Sequence, residues 1–214
     1  MNGLETPVEE TPRLAALAEL TKPLAGWLNT GAARQIYRLA REVAPGALVV
    51  ELGAGSGKHG AWLAAGVRDR GHGRYVAVDT FNAPGAVAAL NLAPQALANV
   101  AYDAFRGVLR AADAESCSEC LRASPQQAGL DWPHGVTIGL LHLPASDDYG
   151  TLRRLFELWA RFVVLGGLVV FDGAPGTPAP SRLAMELPRW WRWYRNCLGK
   201  WIAIKTEEPE VPHR

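Results

Sequence analysis

Short apolar runs alternate along the chain with longer segments in which apolar residues recur every three to four positions. Runs rich in leucine and β-branched residues are typical of strands buried on both faces, and the longer spacing is typical of helices. The predicted strands are 49–51, 74–79, 120–124, 136–143, 167–171 and 200–204, and the predicted helices include 32–43 and 148–162. This alternation predicts a doubly wound, mostly parallel α/β sheet with helices on both faces.

The first 45 residues precede the first predicted strand. Residues 1–12 are rich in proline and glutamate, so we expect a flexible tail. Helical patterns over 13–20, 23–28 and 32–43 predict an N-terminal helical cap, spanning 13–45, that covers the sheet or a ligand. We expect the cap to form one structural unit with a single α/β domain over 46–214.

Composition narrows the classes of partner. The 214 residues are 49% hydrophobic, which suffices for a full core. With 22 basic and 21 acidic residues the net charge is +1, so we expect small molecules rather than nucleic acid or a membrane as partners. No apolar run approaches the roughly 20 residues of a spanning helix, and the acidic start differs from a signal peptide, so we expect a cytoplasmic protein. Cys117 and Cys120 lack a second pair and are expected to be structural thiols.

A glycine-rich turn follows the first predicted strand, and the segment reads VVELGAGSGKHGAWLA over residues 49–64. Gly53, Gly55 and Gly57 stand at alternate positions in it. Glycine permits positive φ and lets a ligand approach the main chain, and the following helix offers unpaired N–H groups. The turn is therefore predicted to bind a ligand at the carboxyl end of the first strand.

The spacing of the glycines in this turn excludes some classes of nucleotide-like ligand but not all of them. A P-loop is excluded, because Lys58 is followed by histidine and a magnesium nucleotide would have no hydroxyl ligand. The dinucleotide pattern GxGxxG is met by Gly55, Gly57 and Gly60, but when the count starts at Gly53 its third position is a lysine. An NAD-dependent oxidoreductase therefore stays open as an alternative that requires the frame ending at Gly60.

Two acidic residues support another frame. Glu51 ends the first strand, and Asp79 ends the second, where its carboxylate can accept both hydroxyls of a ribose. A ligand with a ribose and an ammonium group but no pyrophosphate fits this pair best.

The motifs ELGAGSG and AVDTF, in this order, carry a family resemblance. The chain resembles class I S-adenosylmethionine (SAM)-dependent methyltransferases of the bacterial small-molecule branch, which includes macrocin O-methyltransferase-like and cephalosporin-hydroxylase-like proteins. Further matching segments are GWLNTGAARQIYRLAREV, LLHLPASDDYGTLRRLFELW and VLGGLVVFDG, so that the resemblance covers roughly residues 25–205. It implies a Rossmann-like methyltransferase sheet, SAM as cofactor, and O-methylation of a small metabolite or natural product.

The resemblance also implies a set of cofactor-binding residues. They are Glu51, Gly53, Ala54, Gly55, Gly57, Asp79, Thr80, Phe81, Ala123 and Ser124. Phe81 is expected either to lie over the adenine or to belong to the core. Ala123 stands where relatives carry an acid near the adenine amine, so one contact is missing.

Candidate catalytic residues are His142, Asp147 and Asp172. Asp147 falls where relatives have the histidine suggested as base, and His142 suits neutral pH but could equally be structural. Asp172 could orient an acceptor or bind a lone cation, and it could also be simply a turn residue in the segment DGAPG. Relatives that use a metal carry acids where this chain has Pro144 and Gly173, so we expect no catalytic magnesium and no metal site.

Several residues near these positions have simpler explanations. Asp148 suits a helix N-cap, and Lys58 and His59 are expected to face solvent. The aromatic residues of WWRWY, 190–194, cannot all lie on one side of a helix, so we expect a subunit contact of a homo-oligomer or a hydrophobic acceptor pocket there. The substitutions at Pro144, Ala123 and Gly173 leave open a degenerate protein that keeps the cofactor or only the fold without methylating, as a structural or regulatory element or as another catalyst such as a cyclase.

Overall fold

The computed structural model describes residues 9–82, 93–144, 146, 148–172, 178–197 and 200–208, and side chains throughout these except in 193–197. The helices are α1 (Pro12–Thr21), α2 (Thr30–Arg41), α3 (Gly60–Arg70), α4 (Pro94–Ala111), α5 (Pro125–Leu130), α6 (Tyr149–Trp159) and α7 (Pro178–Met185). The strands are β1 (Leu48–Leu52), β2 (Tyr75–Val78), β3 (Ser118–Leu121), β4 (Ile138–Leu143), β5 (Val163–Asp172), β6 (Trp191–Cys197) and β7 (Lys200–Lys205).

The strands form one seven-stranded sheet in the order β3-β2-β1-β4-β5-β7-β6. The first five strands are parallel, and β7 runs antiparallel to both of its neighbours. β2 and β3 lie on one side of β1, and β4 and β5 lie on the other, so the strand order reverses between β1 and β4. The carboxyl ends of these two strands flank the crevice in which such sheets bind ligands. The predicted α/β sheet is confirmed.

Helices cover both faces of the sheet. On one face Ile36, Trp62 and Phe105 belong to a continuous buried cluster with β1 and β2 residues. On the other face Leu152 and Trp159 pack with residues of β4 and β5. Burial on both faces explains why the strands read as unbroken apolar runs.

The N-terminal helices pack onto this layer. α2 lies against α3 so closely that a Cβ at Gly66 would be 2.8 Å from the Cβ of Ala40 and would overlap the carbonyl oxygen of Tyr37. The Tyr37 hydroxyl donates to Asp69 at 2.8 Å, and Arg13 of α1 donates to the same carboxylate at 2.8 Å. One half-buried acid of α3, Asp69, therefore ties both N-terminal helices to this helical layer.

Three predicted elements differ from the structure. Residues 23–28 form no helix but a bent segment that includes Gly26 at φ +109°. β3 ends at Leu121 instead of 124, because Ser124 accepts a hydrogen bond from the main chain of Gln127 and begins α5. The Trp-rich segment is part of strand β6 and not a helix.

The strand conformation of this segment determines which of its tryptophans are buried. Trp191 is buried, with its ring 5.3 Å from that of Phe156, and Trp190 packs against the same cluster. Trp191 is therefore a core residue and is not available for a subunit contact. Among the described helices, none combines the length and the apolar character that crossing a bilayer would require.

Candidate active site

The glycine turn has the predicted left-handed backbone. Gly53, Gly55 and Gly57 have φ of +74°, +50° and +82°, values that residues with a Cβ rarely adopt. The N–H of Gly53 donates to the carbonyl of Val78 at 2.8 Å, which fixes the turn at the end of β1. A Cβ at Gly57 would come 3.1 Å from Phe105, so this third glycine allows core packing under the turn.

Asp79 holds the turn from the neighbouring strand. Its Oδ2 accepts from the N–H of Gly55 at 2.8 Å, and its Oδ1 accepts from the N–H of Phe81 at 2.6 Å. A carboxylate has about four acceptor sites, so two remain for a ligand. The predicted ribose-binding residue thus lies against the predicted loop.

The residues that follow Asp79 differ in their surroundings. Thr80 is half-buried. The Phe81 ring is buried, with its centroid 5.3 Å from those of both Tyr102 and Phe105. The buried ring supports the core position for Phe81, and its contact with the adenine stays a prediction.

Ala123 and Ser124 follow β3, the strand next to β2. Both are half-buried, and the Ser124 hydroxyl caps α5 by accepting from Gln127 at 3.1 Å. The N–H of Asp79 donates to Leu121 at the end of β3, so this pair lies next to the Asp79 main chain at the same edge of the sheet. Their cofactor contacts stay a prediction.

Gly60 explains the literal GxGxxG match. A Cβ on this residue would come 2.6 Å from the Tyr75 hydroxyl and 3.0 Å from Oε2 of Glu51. The glycine therefore lets α3 approach β1 and β2, and no pyrophosphate is needed to account for it.

A cavity of about 280 Å³ opens beside the turn. It lies between the bent segment at 25–27, the glycine turn, the first turn of α3 and the ends of β4 and β5. Its lining residues are Ala25, Gly26, Trp27, Gly53, Ala54, Gly55, Ser56, Lys58, His59, Pro144 and Asp172. Of the predicted residues, Gly53, Ala54, Gly55 and Asp172 meet in this one cavity.

The bent segment crosses over the start of α3. The Ser56 hydroxyl donates to the Ala25 carbonyl at 2.7 Å, and the Lys58 amine donates to the Leu24 carbonyl at 2.8 Å. The His59 side chain is only 14% exposed. The prediction that Lys58 and His59 face solvent is wrong, because the chain before α2 covers them.

Beneath the cavity lies a group of interacting polar side chains, here called the buried polar cluster. Its members are Glu51, His59, Tyr75, His142, Asp172 and Lys200.

The contacts of the cluster run from β2 to the cavity wall. The Tyr75 hydroxyl donates to Glu51, whose other oxygen lies 3.6 Å from Nδ1 of His142. Nε2 of His142 is 3.2 Å from Oδ1 of Asp172, which also accepts from the Lys200 amine.

His59 joins the cluster from the start of α3. The Lys200 amine is 2.9 Å from Nε2 of His59, and Oδ2 of Asp172 is 3.3 Å from the same nitrogen. An ammonium group can only donate, so Nε2 of His59 accepts from Lys200, the proton of the neutral ring is on Nδ1, and the 3.3 Å approach of Asp172 Oδ2 to the same nitrogen is not a hydrogen bond. A carboxylate only accepts, so Nε2 of His142 carries its proton.

Burial dominates the ionisation of these groups. It raises the pKa of Glu51 to about 8, against the opposing effects of the Tyr75 hydrogen bond and the Lys200 charge. It lowers the pKa of Lys200 to about 7, whereas Glu51 favours the charged amine. The pKa values of His59 and His142 also lie well below the usual range, because desolvation and the nearby Lys200 disfavour the imidazolium.

Protonation at pH 7 follows from these directions. Glu51 is neutral and both histidines are neutral. The carboxylate of Asp172 contacts the Lys200 amine directly and favours its charged form, so the two form a buried ion pair when the amine is protonated. The Asp172 carboxylate therefore forms part of the cavity wall, and its contacts with Lys200 and His142 fix its orientation.

The predicted acids and bases differ in whether they reach the cavity. Asp172 ends β5, is buried and lines the cavity, whereas His142 lies behind it with 1% exposure. Glu51 is equally buried and bonds to Tyr75, so its carboxyl does not line the cavity. Asp148 accepts from the N–H of Gly150 at 2.9 Å, which confirms the predicted N-cap of α6. Asp147 and Gly173 lie outside the described residues.

Lys200 and His59 were not predicted as site residues. Lys200 pairs with Asp172 in the antiparallel register of β5 and β7. A lysine that opens an apolar strand is the one signal in the sequence, and its partner depends on a strand pairing across 28 residues.

Comparison with known proteins agrees with this geometry. A family model described as a methyltransferase domain matches residues 50–174. No curated protein matches the chain.

Solved structures share the fold. The O-methyltransferase TomG from Streptomyces achromogenes, involved in tomaymycin synthesis and in complex with SAM, has a TM-score of 0.62 at 16% identity, over 94% of this chain and 92% of that chain. The O-methyltransferase NovP has a TM-score of 0.63 at 16% identity, over 91% and 97%. An O-methyltransferase from Bacillus cereus in complex with SAH has a TM-score of 0.58 at 13% identity, over 94% and 93%.

Proposed function

We propose that the chain, which belongs to the methyltransferase-domain family because that family's model matches more than half of its residues, transfers the methyl group of SAM to a hydroxyl of a small molecule. The proposed reaction uses no metal ion. The observation that carries the proposal is the Asp172 carboxylate, which lines the same cavity as the glycine turn.

The residues of the turn suit the cofactor. Gly53 and Gly55 leave a cradle that a Cβ would obstruct, and Asp79 keeps two acceptor sites for ribose hydroxyls. Thr80, Ala123 and Ser124 follow the ends of the adjacent strands, where the adenosine part would lie. When bound, SAM supplies a methyl group that is already activated as a sulfonium.

Asp172 supplies the acceptor chemistry. Transfer to a hydroxyl requires removal of its proton, and the protein must hold the oxygen in line with the methyl group. Oδ1 of Asp172 is engaged by Lys200 and His142, and Oδ2 lies beside His59 at the wall of the cavity. This second oxygen accepts the proton of the acceptor. A carboxylate is a weak base, so an acidic hydroxyl such as a phenol is the favoured acceptor.

The donors at the wall support the metal independence of the proposed reaction. Magnesium requires several oxygen ligands, and Pro144 offers none at the end of β4. The Asp172 carboxylate is already neutralised by Lys200. The described residues therefore do not fit a hard divalent cation.

The test is methyl transfer from SAM to a panel of phenols, alcohols and carboxylic acids, followed by the release of S-adenosylhomocysteine. We expect turnover of a phenolic acceptor that a chelator does not change. Asp172→Asn should lower kcat by about 100-fold or more and leave the SAM Kd unchanged, whereas Asp131→Asn at an exposed position should match the parent.

Other outcomes would contradict the proposal. Loss of turnover with a chelator would show a metal requirement. SAM binding without transfer to any acceptor would favour a degenerate protein that keeps the cofactor without methylating. An unchanged kcat in Asp172→Asn would remove the proposed role of this carboxylate.

A further inference from the structure

Three ligand-type atoms lie close together at the wall of the cavity and directly behind it. His59, His142 and Asp172 each offer one such atom, and these atoms all lie within 4.8 Å of one another. Two imidazoles and one carboxylate in this arrangement are a donor set that binds divalent transition metals. The three side chains come from the start of α3, from β4 and from the end of β5.

The amine of Lys200 lies among these three side chains. Its side chain has no exposure, and its amine donates to Oδ1 of Asp172 and to Nε2 of His59 at 2.9 Å. The register of β5 and β7 sets Lys200 directly opposite Asp172, so the strand pairing delivers the amine. Two of the three ligand-type atoms are thus occupied by one ammonium group.

Resting on the function proposed above, we propose that the ammonium group of Lys200 is the resident cation of this site, a positioning residue that fixes Asp172 and His59 at the cavity wall where a divalent ion would otherwise bind.

The chemistry of the contacts supports a positioning role. A buried carboxylate without a partner is costly, so the ammonium keeps Asp172 ionised and fixes the direction of Oδ2. By donating to Nε2 of His59, it also fixes the tautomer of that ring. Because the amine is tethered to a strand, it cannot dissociate as a bound ion does. A metal ion at the same three atoms would have to displace it against charge repulsion.

Lys205 provides a matched control on the same strand. It is also buried, but its amine donates to the carbonyl of Val163 at 2.8 Å and pairs with Glu208 at 2.7 Å. It contacts none of the three ligand-type residues among the described residues. Removal of either lysine leaves a comparable void, so the pair separates a structural defect from loss of the cation.

The experiment titrates the full chain with Co²⁺ and follows its visible absorption. Lys200→Ala should expose a site with two imidazoles and one carboxylate, and should bind one Co²⁺ about 100-fold more tightly than the parent or Lys205→Ala. Zn²⁺ should compete for the same site. Equal affinity of the three proteins would overturn the proposal, as would a parent protein that binds Co²⁺ through His59 and His142.

A second measurement uses only the parent protein, so it tests the proposal even if the Lys200→Ala variant does not fold. Nitrogen-15 spectra of the imidazoles in the parent protein should show His59 protonated at Nδ1 and His142 protonated at Nε2, unchanged by added Zn²⁺. The opposite tautomer of His59 would overturn the proposal.

Methyl transfer gives a third readout. If the proposed function holds, Lys200→Ala should lower kcat by at least about tenfold with little change in the SAM Kd, and Lys205→Ala should leave both unchanged. Failure to find any acceptor would count against the proposed function alone, because the cobalt and imidazole measurements do not use one.

Discussion

At the scale of single residues, Glu51 shows how burial sets a charge. Its carboxyl is 1% exposed, bonds to Tyr75, and has a pKa raised from 4.5 to about 8. Between these values the folded state keeps a proton that the unfolded chain releases. The contribution of Glu51 to stability is therefore full below pH 4.5 and is lost as the pH rises toward 8.

Glu51→Gln should remove this dependence. The amide keeps an acceptor for Tyr75 but does not ionise, so the free energy of unfolding of the variant should rise relative to the parent by about 1 kcal/mol per pH unit between pH 5 and 7. Denaturant unfolding at both pH values measures the difference. Glu119→Gln, at an exposed position, is the control. A constant offset between the Glu51 variant and the parent would contradict the assignment.

The predictability of a residue depended on how local its role is. Asp79 and the three turn glycines were identified from spacing along one stretch of sequence, because the turn and the adjacent strand end are local features. Lys200, the partner of Asp172, was not identified from the sequence, because the two residues meet through a strand pairing between distant segments. Phe81 could be narrowed only to two roles, because a buried ring and a ligand-stacking ring have the same local sequence.

At the scale of elements, the contact between α2 and α3 depends on Gly66. An added methyl group would overlap main-chain atoms of Tyr37, which cannot move without shifting α2. Gly66→Ala should therefore destabilise the protein by about 1–3 kcal/mol, although alanine is the better helix former.

Gly107→Ala is the matched substitution in α4. No atom lies within 4 Å of the added methyl group, so the helix propensity of alanine should stabilise the protein by about 0.5–1 kcal/mol. Thermal unfolding of the two variants should shift in opposite directions. Shifts of the same sign would refute the close approach of the two helices.

The elements themselves were predicted unevenly. The central strands were identified because apolar runs buried on both faces are unambiguous, and the cap of α6 because Asp148 is a favourable N-cap residue. The apolar spacing of 23–28 is typical of a helix, but the positive φ of Gly26 and the hydrogen bond from the Lys58 amine to the Leu24 carbonyl override that pattern. The Trp-rich strand was not identified, because its conformation depends on pairing with β7.

At the scale of the whole molecule, the chain between α1 and α2 closes one side of the cavity. It is held by side-chain bonds from Ser56 and Lys58 to the carbonyls of Ala25 and Leu24. Bound SAM should add contacts on its inner surface, so hydrogen exchange of amides 22–29 should slow by about tenfold or more at saturation. Amides 164–167, at the opposite end of β5, should not change. Protection confined to the glycine turn would show that this segment does not cover the cofactor.

The most direct measurement is calorimetric titration of the protein with SAM, alongside Asp79→Ala and an Asp131→Ala control. We expect binding near micromolar Kd for the parent and the control. Asp79→Ala should weaken binding by at least about tenfold, because each charge-assisted hydrogen bond to a ribose hydroxyl contributes about 1.5–3 kcal/mol. Absence of binding by the parent, or an unchanged Kd in a folded Asp79→Ala, would contradict the placement of the cofactor at the glycine turn.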